Sequence, residues 1–132
     1  MTTELFWLTA TVLMTALMWM PYMLNRIAVR GLIGALANET PQSKPHAPWA
    51  TRAMAAHKNA VENLVVFAPA VLVAHLVGVS SGVTTTAAML YFVARLVHYV
   101  VYTSGIPVAR TLAFAVGAFS TIAIALAVLG WL

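Results

Sequence analysis

Apolar residues in this chain do not alternate with polar ones. They run in four blocks, each near the length of a lipid-spanning helix. The first, from Leu5 to about Asn25, holds no charged side chain, and a helix needs roughly 20 apolar residues to cross hydrocarbon. Arg26 and Arg30 follow, so the pattern predicts a first helix over about residues 5–30, with Pro21 kinking its inner end. About residues 31–48 read as a polar loop containing Asn38-Glu-Thr-Pro-Gln-Ser-Lys-Pro-His-Ala-Pro48. Three further helices are predicted over about residues 49–78, 84–103 and 107–131. Val79-Ser-Ser-Gly-Val83 and Ser104-Gly-Ile-Pro107 separate them. There is no internal repeat and no second domain.

Composition settles the class. The chain has 132 residues, of which 62% are hydrophobic and 8% charged, too few polar groups to coat a soluble domain of that size. The expected fold is an all-α integral membrane protein, a four-helix up-down-up-down bundle of one domain. A net charge of +4 would point to nucleic acid in a soluble protein. Here the cations sit at span ends or inside spans, so no nucleic-acid partner is expected. Cysteine is absent, which excludes disulfides and thiolate sites. Met1-Thr-Thr-Glu4 lacks the basic start of a signal peptide, so the first span is expected to be retained. Arg26, Arg30, Lys44, Arg52 and Lys58 cluster around the first loop. By the positive-inside rule that loop faces the cytoplasm, with both termini on the opposite side.

The unusual feature is charge within the spans. Tyr91, Arg95, His98 and Tyr102 recur at i, i+4, i+7 and i+11, one face of the third span. Arg52, Asn59, Glu62 and Asn63, flanked by His57, make a second polar stripe on the second span. At about 1.5 Å rise per residue, Arg95 lies about 12 Å from the inner end of its helix and Glu62 about 6 Å deep. Arg110 opens the fourth span and Arg26 ends the first, so every span brings a charge to the same half of the membrane. Glu62 is the expected partner of Arg95. The bland account is a salt bridge holding helices together. Against it, Arg26, Arg52, Arg95 and Arg110 outnumber one acid, and a multiply anionic ligand would relieve the surplus. His57 and His98 share a depth, but nothing else supports a bis-histidine haem, and no metal is expected. His75 reads as interfacial packing and His46 as a solvated loop residue. The tryptophans read as interfacial anchors, and the methionines as packing.

Three pieces of the chain resemble a known family. Arg52-Ala-Met-Ala-Ala-His57-Lys-Asn59-Ala-Val-Glu62-Asn63-Leu, Ala94-Arg95-Leu-Val-His98-Tyr-Val-Val-Tyr102 and Gly105-Ile-Pro-Val-Ala-Arg110-Thr-Leu-Ala-Phe are similar to the membrane-associated proteins in eicosanoid and glutathione metabolism (MAPEG). Asn63 after Glu62 is closest to the microsomal glutathione transferase branch. The resemblance implies a homotrimer with glutathione, as co-substrate, held between subunits at the cytosolic side. By position, Asn59, Glu62, Arg95 and Tyr102 would bind it, together with Arg26 or Arg30. Arg52, His57 and His98 line the same expected site, and Arg110 would stabilise the thiolate. One departure stands out: related transferases often carry an arginine just ahead of the second-span histidine, where this chain has Ala55 and Ala56.

The expected activity is therefore glutathione transfer to, or glutathione-dependent reduction of, lipophilic electrophiles delivered by membrane lipid. The expected setting is a bacterial inner membrane. Two other classes compete. A diverged, non-enzymatic protein could bind lipid or a partner through the same scaffold. A small multidrug exporter would need a carboxylate deep in a span, whereas Glu4 is terminal and Glu62 lies near the inner surface.

Overall fold

The computed structural model describes all 132 residues. They form five helices and no strand: α1 (Thr3–Leu17), α2 (Trp19–Leu36), α3 (Pro48–Leu76), α4 (Gly82–Ser104) and α5 (Pro107–Val128). α1 and α2 act as one span, so four helices are long and apolar enough to cross a membrane. Their break falls at Met18 rather than near the inner end of the span. Pro21 accounts for it: the residue has no N–H for the Leu17 carbonyl, and its ring crowds that oxygen. The inner end also differs from expectation. Helix continues to Leu36 through a bend at Gly31, where φ is 73°, leaving residues 37–47 as the loop.

The remaining ends follow local chemistry. Ser81 and Thr84 make a reciprocal capping box at the start of α4, and Pro48 and Pro107 open α3 and α5, where a missing N–H does no harm. Gly105, at φ 81°, closes α4. Only Gly105 and Ile106 separate α4 from α5, so the two helices pack as antiparallel neighbours. Hydrogen bonds fix the up-down-up-down order. Glu4 on α1 meets Ser80 and Thr84 at one end; Arg52 on α3 meets Thr103 on α4 at the other.

α4 touches α1, α3 and α5 and is the central post. Around it, Leu8, Phe67, Val71, Ala88, Tyr91 and Ile124 form a core, with the Phe67 and Tyr91 rings stacked 3.6 Å apart. Toward the basic end α3 buries only alanine, at Ala50, Ala53, Ala56 and Ala60. Small side chains there let helices approach closely. Just 24 of 132 residues are buried. The outward faces are Leu, Val, Ile and Phe, a surface suited to hydrocarbon rather than water.

Candidate functional site: an arginine cluster at the basic end

α4 turns Tyr91, Ala94, Arg95 and His98 inward. Arg95 is 2% exposed. Its side chain packs alongside Gly117 on α5, where an added Cβ would lie 3.5 Å from Arg95 Cδ, in ordinary contact. Arg95 Nη2 donates to Asn59 Oδ1 at 2.6 Å and lies 3.4 Å from His98 Nδ1. Asn63 in turn donates to the Asn59 carbonyl oxygen at 2.8 Å. On the other side, the His98 ring meets Tyr102 edge-on at 5.5 Å, and the Arg110 guanidinium sits 4.5 Å over the Tyr102 ring. A continuous track therefore runs Asn63–Asn59–Arg95–His98–Tyr102–Arg110 across α3, α4 and α5.

Glu62 is not in that track, and it does not pair with Arg95 within the chain. The place opposite Arg95 belongs to Asn59. Successive helical residues are about 100° apart, which carries Glu62 round to an exposed face shared with Val61, Val65 and Val66. Every acid is thus spoken for elsewhere. Glu4 is at the far end, Glu39 makes the chain's one ion pair with Arg30 at 2.8 Å, and Glu62 points outward. Arg95 is left with neutral partners, and its Nε and Nη1 are buried with none. A buried cation without a counter-charge is expensive.

The other expected residues surround this track. Arg52 Nε donates to the Thr103 carbonyl at 2.9 Å, which leaves the outer nitrogens of the guanidinium without a bond in the chain. Gly105 makes room: a Cβ there would lie 3.4 Å from Arg52 Cζ, on a backbone that side chains resist. His57 Nδ1 is 2.7 Å from the Tyr22 hydroxyl, tying α3 to α2. Arg26 and Arg30 serve the loop instead of the track. Arg26 Nη2 reaches the Ala37 carbonyl at 3.4 Å, while Arg30 holds the Lys44 carbonyl at 2.7 Å as well as Glu39. Hydrogen bonding and the charge of Arg30 hold the Glu39 carboxyl below its usual range. His46 is half-buried within the loop, with its Nε2 shut off from solvent. Burial first, then Arg30 and Arg26, holds its imidazole below the ordinary histidine value. Tyr22, Thr103, Phe114 and Gly117 join the site without having stood out in the sequence. Each is an ordinary membrane-helix residue until a partner helix is placed beside it.

A four-span helical membrane protein with an arginine cluster gathered at one end is the class defined by this geometry. The model of the MAPEG family matches residues 5–130. The chain belongs to that family, whose fold is a four-helix membrane bundle. A search of curated proteins gives no match.

Proposed function

We propose that the protein is a glutathione transferase or glutathione-dependent peroxidase acting on lipophilic electrophiles. The observation that carries this is the unneutralised Arg95, with Arg52 and Arg110 to either side and no carboxylate of the chain among them. Glutathione brings two carboxylates and a thiol that ionises, so it supplies the missing negative charge. Arg95, Asn59 and Tyr102 hold the tripeptide, and Arg52, a turn away from Ala55 and Ala56, takes a carboxylate. Arg110 is poised over Tyr102 at the half-buried rim and stabilises the thiolate. A guanidinium in a poorly solvated site lowers a thiol pKa and raises its nucleophilic fraction. The protein then need only hold the thiolate against an electrophile arriving from lipid.

The assembly is a homotrimer with the sites between subunits. Glu62 supports it: a carboxylate on an apolar exposed face is unfavourable against hydrocarbon and better placed at a subunit boundary, where the glutathione ammonium can meet it. The basic loop and the site face the cytoplasm of a bacterial inner membrane. A second, non-enzymatic function, binding lipid or a partner, draws on one observation. Ala56 is wholly buried, so α3 offers no cation just ahead of His57 and glutathione loses a contact.

The deciding experiment follows glutathione thiolate absorbance on binding, together with conjugation of a chlorodinitrobenzene electrophile. Arg110→Ala should abolish the bound-thiolate signal and lower kcat far more than it weakens glutathione binding. Equal losses in both would assign Arg110 to binding alone. Saturable glutathione binding with no thiolate and no conjugate in the wild type would favour the non-enzymatic function.

A further inference from the structure

At the end of the bundle opposite the arginines, Glu4 is 3% exposed although it lies in the first turn of α1. Its Oε1 accepts from Thr84 Oγ1 at 2.6 Å and from Ser80 Oγ at 2.9 Å. Its Oε2 is buried and has no partner. The N-terminal turns of α1 and α4 meet here, and helix N-termini favour the ionised carboxylate over the protonated acid. No cation of the chain pairs with it, since the single ion pair joins Arg30 and Glu39. Beside it is a cavity of about 230 Å³, lined by Thr2, Glu4, His75, Gly78 and Ser80 among others. That exceeds the roughly 30 Å³ share of one water. An organic group with a short carbon tail has room.

We propose that this cavity binds a primary ammonium group with Glu4 as its counter-ion. The donor inventory selects the ligand. The Ser80 hydroxyl spends its proton on Glu4, so its oxygen has only acceptor capacity left. Ser80 and Glu4 both line the cavity, so it offers an acceptor and a carboxylate that no cation of the chain pairs with. An ammonium offers three N–H donors. A metal ion is disfavoured, because no three histidine or acidic side chains converge anywhere in the chain. The ammonium can come from a free small amine or from an ethanolamine lipid headgroup, and either presents the same chemistry at the membrane boundary.

The test uses the full chain in detergent, titrated with methylammonium chloride at fixed ionic strength and followed by saturation-transfer NMR. Saturable binding is expected, weakened about tenfold or more in Glu4→Gln, which keeps an oxygen for Ser80 and Thr84 but loses the charge. Tetramethylammonium, lacking N–H, should not compete. In a second arm the protein is placed in nanodiscs with and without phosphatidylethanolamine, and retained lipid is counted by native mass spectrometry. Retention by the wild type and not by Glu4→Gln identifies the lipid source; methylammonium binding without retention identifies a free amine. Equal methylammonium binding by both proteins, or none by the wild type, overturns the site. So does a protonated-carboxyl infrared band at neutral pH that vanishes in Glu4→Gln, since the occupant is then a proton. Should Glu4→Gln fail to fold, Ser80→Ala keeps the charge and removes one acceptor. A severalfold weakening is expected from it, and unchanged affinity counts against the site.

Discussion

The two ends of the bundle bury opposite charges and treat them differently. At one end a single carboxylate is held by two hydroxyls, Ser80 of the α3–α4 turn and Thr84 in the first turn of α4. At the other, guanidiniums from α3, α4 and α5 collect around amide, imidazole and phenol groups, with no acid among them. Hydroxyls can stabilise one carboxylate because each donates a proton without bringing charge of its own. Neutral groups cannot do as much for several cations, whose mutual repulsion grows as they gather. The fold therefore satisfies much of what the acid end needs, whereas the basic end carries cations that nothing in the chain neutralises.

If that contrast holds, cutting a partner from the acid end should harm the fold most. Thr84→Val removes a hydroxyl bonded to a buried charge and half of a capping box, a loss of about 3 kcal/mol in stability, read by denaturation in detergent. An unchanged midpoint would mean that Glu4 is not held as described.

At the basic end a backbone change should act more gently. Gly105→Ala forces a side chain onto a left-handed residue, costing about 1–2 kcal/mol. Gly105 packs against Arg52, an added Cβ lying 3.4 Å from its Cζ, so relief of the strain moves that guanidinium. Glutathione affinity should fall along with stability. A stability loss with affinity intact would place Arg52 outside the ligand's reach.

The smallest effect belongs to the loop. His46 is held below the ordinary histidine value of about 6.5, so as pH falls through 6.5 the unfolded loop takes up a proton before the folded one does. Stability is present above that pH and is lost below it. Loss of the Glu39 interaction with Arg30 comes only at lower pH, as the carboxyl protonates. Amide protection factors, corrected for the intrinsic slowing of exchange in acid, should fall in residues 37–47 between pH 7 and 5.5, while those in α4 stay constant. Uniform exchange across both segments would deny the loop a local opening.

Much of the fold was legible because lipid imposes a simple rule. Blocks of apolar residues long enough to span must be helices, and Gly105 with Pro107 or Ser81 with Thr84 mark where they end. The break at Met18 was misplaced because a proline acts on the carbonyl four residues before it, not at its own position. The turn after Gly31 was missed because one glycine next to a polar loop looks like a terminus. At the site, the Arg95–His98–Tyr102 stripe could be read from spacing alone. Its partner could not. Asn59 and Glu62 are both within one turn on α3, and only helix rotation decides that the amide faces Arg95 while the carboxylate faces outward. Gly117 is invisible for a related reason: only the placing of α5 brings it beside Arg95.

The most direct measurement is calorimetric titration of glutathione into the folded protein beside Arg95→Gln, which keeps a donor near Asn59 and removes the charge. Saturable binding by the wild type, weakened about tenfold to a hundredfold in the variant, is the predicted result. Equal binding by the two proteins, or no heat from either while both remain folded, would contradict the claim that the buried guanidinium is there to meet an anion.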